Sequence, residues 1–239
     1  MRWVRDETGR LPRRPHFEAQ EIDRECESMV AAFLQRKHGE VRYPLSTDDL
    51  TVLVEQETRD LDLYADFPTT DPLTEGVTEF APPQRPRVLI SARLSESASL
   101  ENRLRTTLAH ELGHVRLHNC LWTLDAPLDP RRLSPRCRRA TILGGGTDWL
   151  EWQAGYASGA VLMPLGALER VVAPVLEQGR LRPPLFVATT GASRLVRRVQ
   201  RSFQVSATAA QVRLLQLGYL TKRRPGALPL ALTAPRARG

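Results

Sequence analysis

The chain has 239 residues, 41% of them hydrophobic, and a formal charge of +7 from 34 basic against 27 acidic residues. That length fits one medium domain with an appendage, and three cysteines (Cys26, Cys120 and Cys137) are too few, and odd in number, for a disulfide framework. No apolar run approaches the roughly 20 residues that span a bilayer, and residues 1–15 lack the apolar core of a secretory signal, so a cytoplasmic protein is expected.

The basic excess is almost all arginine, since only Lys37 and Lys222 are lysine. Such a skew fits a composition bias, and the charge alone does not make nucleic acid the expected partner.

In chain order, residues 1–16 read as a flexible leader, charged and proline-bearing. Phe17, Ile22, Cys26, Met29, Val30, Phe33 and Leu34 recur at helical spacing over 17–38, and Gly39 follows as a stop. On that face Cys26 acts as a small hydrophobe. Ser46 or Thr47 caps a short helix carrying Leu50, Leu53 and Val54. Residues 61–67, 77–80 and 87–91 have strand patterns, with a proline-rich turn at 81–86. Three short strands ahead of the next helix suit a small antiparallel sheet packed on helices, whose edge is suited to taking an extended peptide.

That helix is predicted over 100–118, with Leu104, Leu108, Leu112 and Val115 on its apolar face and Ser99 as N-cap. It contains His110-Glu111-Leu112-Gly113-His114. Positions i and i+4 lie one turn apart on one face, so the two imidazoles can reach one metal ion. Glu111, beside the first of them, is placed to act as general base on a water. Gly113 costs about 1 kcal/mol of helix propensity relative to alanine, which a close approach of another backbone would explain.

Residues 119–146 lose periodicity and gather Cys120, Cys137 and five arginines into a long, basic connection. A helix then runs over 149–162. Its Glu151 is a third metal ligand by one reading, leaving an open fourth position. By another, Asp148-Trp149-Leu150-Glu151 is a capping box. Asp125, Asp129 and Asp148 are further carboxylates that spacing leaves open. Tyr156 and His118 are candidate donors to an oxyanion. Beyond, residues 165–176 suggest a helix bent at Pro174, and 193–203 and 206–217 two short helices with Ser206 as cap, a helix-turn-helix in outline.

Arg105-Thr106-Thr107-Leu108-Ala109-His110-Glu111-Leu112-Gly113-His114 resembles the zinc-binding stretch of the ImmA/IrrE family of zinc metallopeptidases. Glu151, Ala154 and Leu162-Met163-Pro164 are similar to that family's second motif, and Phe203, Val205, Ser206, Ala209, Arg213, Leu214 and Leu217-Gly218 to a segment near its end. Gly155 stands where the family has Asn, a departure on the substrate side.

The resemblance implies an α+β fold with a zincin-like HExxH helix and a helical C-terminal segment. It implies one Zn2+ per chain on His110, His114 and Glu151, with Glu111 catalytic. It implies a hydrolase acting on a protein substrate, a helix-turn-helix repressor, in transcription regulation or stress response. The expected division is a leader at 1–16, a metallopeptidase domain at 17–165, a helical segment at 166–221 and a disordered tail at 222–239. The competing reading is a non-catalytic regulatory protein that binds a repressor or DNA and carries a structural or dormant metal site.

Overall fold

The computed structural model describes residues 1–7, 9, 11–67, 73–81, 83–123, 136–138 and 148–224. The α+β class is observed, with eight helices around one small mixed sheet among the described residues.

The first difference from expectation is at the start of the chain. Residues 1–16 hold an antiparallel hairpin, β1 (Arg2–Arg5) paired with β2 (Arg13–His16), in place of a flexible leader. Its few apolar residues carry no periodicity, but Leu11 is buried with Leu121, Trp149 and Leu150, and Trp3 packs against them. Arg14 lies over the Trp149 ring, 5.3 Å from its centroid. The hairpin is held by partners more than a hundred residues away, which a local pattern cannot register.

Helix α1 (Ala19–His38) opens with a capping box between Glu18 and Glu21 and closes at Gly39, whose φ of 74° suits a residue without Cβ. Helix α2 (Thr47–Glu57) is capped by the Ser46 hydroxyl, which accepts from the Asp49 amide at 3.0 Å. Strands β3 (Asp60–Ala65), β4 (Thr74–Glu79), β5 (Arg87–Ser91) and β6 (Arg136–Arg138) form a sheet in the order β3-β5-β4-β6. β4 pairs antiparallel with β5 and with β6, while β3 and β5 run parallel, so the sheet is mixed. Helix α2 lies between α1 and β3 in the chain, but strand direction is decided by tertiary packing and not by the alternation within each strand.

A one-turn helix, α3 (Ala92–Ser95), and a 3-10 turn (Ala98–Leu100) lead into α4 (Glu101–His118). The Leu100 amide is taken by the Ser97 carbonyl within that turn, so Ser99 does not cap α4. The expected long connection begins as a 3-10 turn at Asn119–Thr123 and contributes β6; most of it, including Asp125 and Asp129, lies outside the described residues. Helix α5 (Trp149–Leu162) crosses α4 at very short range. A Cβ on Gly113 would sit 3.0 Å from the Ala157 Cβ and 3.1 Å from the Ala154 backbone. Glycine at 113 is therefore what lets the two helices touch, and it accounts for the propensity given up there.

The C-terminal segment comprises α6 (Leu165–Gly179), with Pro174 inside it, α7 (Thr190–Phe203) and α8 (Ala207–Gln216). Leu185–Phe186 (β7) and Leu220–Thr221 (β8) add a short parallel ladder that the sequence did not announce. One hydrophobic cluster runs from Ile22 through Leu112 and Val161 to Leu214 and Leu220. The expected boundary at 165 thus crosses a continuous core. Two buried arginines cross it too. Arg105 of α4 donates to the carbonyls of Leu45 (2.7 Å), Phe203 (3.3 Å) and Gln204 (3.0 Å), satisfying the C-terminal end of α7. Arg213 of α8 pairs with Asp23 of α1 and donates to the Met163 carbonyl at 3.2 Å. The expected tail falls almost wholly on 225–239, outside the described residues. No single described helix is long and apolar enough to cross a membrane.

Candidate metal centre

Three side chains converge where α4 crosses α5. His110 and His114 face inward from successive turns of α4, and Glu151 reaches them from the first turn of α5. His110 Nε2 lies 3.1 Å from His114 Nε2 and 3.2 Å from Glu151 Oε2, and His114 Nε2 lies 3.5 Å from Glu151 Oε1. For tetrahedral coordination with bonds of about 2.0–2.1 Å, ligand atoms are about 3.3 Å apart. The three separations fit one face of such a tetrahedron. All three residues are buried, with Glu151 at 7% exposure.

The capping-box reading of Glu151 does not hold. Asp148 does cap α5, its carboxylate accepting from the Leu150 amide at 3.0 Å, but Glu151 turns toward the histidines instead of back toward its own helix start. Asp148 is thereby assigned to the cap.

The protonation pattern follows from groups with only one option. The Pro15 carbonyl can only accept, so the Gln153 amide gives it an N–H at 3.1 Å and turns its oxygen toward His118. His118 Nε2 donates to that oxygen at 2.9 Å. Burial holds the His118 imidazole near a pKa of about 4, opposed by its Gln153 hydrogen bond, so at neutral pH it is uncharged and its Nδ1 is an acceptor. His114 Nδ1, 2.9 Å away, must then donate to it. This leaves the His114 Nε2 lone pair directed at His110 and Glu151. Burial first, then the two neighbouring imidazoles, drives the His114 pKa well below its ordinary value. An uncharged acceptor nitrogen facing a carboxylate is reconciled by a shared cation. The donor set of two imidazoles and one carboxylate is one that divalent transition metals accept.

His118 is thus an orienting partner of His114 and does not stand as an oxyanion donor. Tyr156 is displaced from that role as well. Its hydroxyl donates to Asp23 Oδ2 at 2.8 Å, its ring lies under the Arg213 guanidinium at 5.2 Å, and burial raises its pKa to about 12. Neither assignment was open to sequence reading, because Gln153, Pro15 and Asp23 enter only through the fold. Spacing gave one hint that was available: His118 continues the i, i+4 series of His110 and His114.

Glu111 is fully buried beside this group and is fixed from the sheet side. The Thr78 hydroxyl donates to Oε2 at 2.6 Å. At Gly76 of β4 a Cβ would come within 2.6 Å of Glu111 Oε1 and 2.9 Å of the Thr107 methyl, so the strand leaves room for this carboxylate only because residue 76 has no side chain. Cys120, half-buried after α4, has its thiol pKa raised by burial and is not among the converging ligands. Cys137 belongs to β6, opposite Gly76 in the ladder.

No protein-family model matches the chain, and no curated protein matches it.

Proposed function

We propose that the chain is a zinc-dependent endopeptidase. The observation that carries this reading is the convergence of His110, His114 and Glu151 with a buried glutamate, Glu111, held next to them by Thr78 and Gly76. Two histidines and a carboxylate with a further position left for solvent are the donor set of hydrolytic zinc. When bound there, the metal supplies Lewis acidity toward a carbonyl oxygen and a water. Glu111 takes the proton from that water and passes it to the amine that leaves as the peptide bond breaks. Thr78 orients the carboxylate for both transfers, and Gly76 keeps it from being pushed aside. Gln153 and His118 hold the His114 ring so that its Nε2 faces the ligand position.

The resemblance to the ImmA/IrrE family supports a protein substrate, a helix-turn-helix repressor, and a role in transcription regulation in the cytoplasm. The decisive variant is Glu111→Gln. It keeps the shape of the side chain and removes the base. Metal content by elemental analysis is expected to stay near one per chain, while cleavage of a co-encoded repressor falls by about 10²–10⁴-fold, the range of general-base contributions. Undiminished cleavage by the metal-loaded variant would reject the mechanism. Absence of any cleavage by the metal-loaded wild type would favour the regulatory, non-catalytic reading.

A further inference from the structure

The charge of this chain is sharply segregated. Residues 1–177 hold all 27 acidic residues and 22 of the 34 basic ones, a net charge of −5. Residues 178–239 hold the remaining 12 basic residues and no acid, a net charge of +12. A genome-wide preference for arginine explains arginine in place of lysine, but not the disappearance of aspartate and glutamate from 62 consecutive residues.

The fold turns this imbalance into a surface. In α7, Ala192, Leu195, Val199 and Phe203 are buried, and the helix is closed at its C-terminal end by Arg105. Arg194, Arg197, Arg198 and Arg201 occupy its other face and are all exposed. They sit at i, i+3, i+4 and i+7, a stripe about 10 Å long at 1.5 Å per residue. None of the four makes an ion pair with a described residue. Arg180, Arg182, Lys222, Arg223 and Arg224 are exposed in the same segment.

We infer that the α7 stripe binds the phosphate backbone of duplex nucleic acid, without sequence preference, independently of the metal centre. Four guanidinium groups at fixed spacing on a rigid helix match closely spaced phosphates, and such contacts position a protein without reading bases. The alternatives fit less well. A membrane-surface helix needs its apolar face free for lipid, and that of α7 is used in the core. Single-strand binding draws on exposed aromatic rings for stacking, and the exposed large hydrophobic residues, Met1, Val41, Tyr64, Leu73 and Trp152, all lie outside this segment.

The test uses the full metal-loaded chain and a fluorescent 30-base-pair DNA duplex of arbitrary sequence, read by anisotropy. Engagement of four phosphates gives a slope of log K against log salt of about −3.6, or about two orders of magnitude of affinity between 50 and 200 mM salt. Arg197→Ala with Arg198→Ala should make the slope shallower by about 2. Alanine at all four positions should abolish binding at 100 mM salt with metal content and circular dichroism unchanged, since the buried face of α7 is untouched. Arg36→Ala with Arg42→Ala, a charge-matched change outside the segment, should leave the affinity as it was. The inference is overturned by an absence of binding at 50 mM salt, by binding that the fourfold variant retains, or by tighter binding to phosphatidylserine vesicles or to a single strand of equal length.

Discussion

The cluster around Arg213 and the cluster around His114 are both buried, both polar and both anchored on α5, yet their hydrogen-bond chemistry differs. Around Arg213 every acceptor meets a donor. Asp23 receives the guanidinium on one oxygen and the Tyr156 hydroxyl on the other, and the Met163 carbonyl receives Arg213 Nε. Around His114 the wire from Pro15 ends in a lone pair that looks at a carboxylate. The first arrangement pairs its carboxylate with a guanidinium, leaves only the Arg213 Nη1 donor over, and ties α1, α5 and α8 together. The second could be balanced by a cation held among His110, His114 and Glu151. Burial and charge alone do not distinguish a structural tie from a binding site; acceptors turned toward one another do.

Breaking each cluster should therefore give different results. Arg213→Met strands the Asp23 carboxylate in the core and should cost about 3–5 kcal/mol of stability with or without metal. For a chain of this size that lowers the melting temperature by roughly 6–20 °C. Glu151→Gln should do the reverse, losing metal while leaving the melting temperature of the metal-free protein within a few degrees of wild type. A metal-free protein destabilised by Glu151→Gln as much as by Arg213→Met would erase the distinction.

A finer cut lies one layer out. His118→Phe retains a ring but cannot accept from His114 Nδ1, and should weaken metal affinity about 10–100-fold in a competitive chelator titration. An unchanged affinity would mean that the wire from Pro15 does not orient the ligand.

The smallest effect is on acid titration of the metal-free protein. His114 and His118 have folded pKa values below those of the unfolded chain, about 4 for His118. Protonation then favours the unfolded state, so stability is full above about pH 6.5 and declines as pH falls toward about 4. Urea midpoints across that range should fall for wild type and fall less for His118→Phe. Bound metal should shift the decline to lower pH, because protons must displace it.

Much of this was legible in the sequence, and the rest was not for identifiable reasons. Helix α4 declares itself by the spacing of Leu104, Leu108, Leu112 and Val115, and the His110–Glu111–His114 spacing needs only helix geometry. Glu151 was ambiguous because a cap and a ligand demand the same residue type at the same place; only the direction of its side chain separates them. The hairpin of residues 1–16 was missed because its strands exist through Trp149 and Leu150. The parallel pairing of β3 with β5 was missed because strand direction leaves no mark on alternation. Tyr156 and His118 were misassigned since their partners, Asp23 and Gln153, are neighbours in space alone.

The grip of Arg105 on the end of α7 bears on how the molecule can be divided. That guanidinium leaves the helix of His110 and His114 about one and a half turns before His110 and closes carbonyls nearly a hundred residues later. A fragment ending at residue 165 would keep all three ligands but leave Arg105 with the Leu45 carbonyl alone and Asp23 with the Tyr156 hydroxyl alone, its guanidinium partner gone. The last helices and the helix that carries the imidazoles thus share one core and one set of buried arginine contacts.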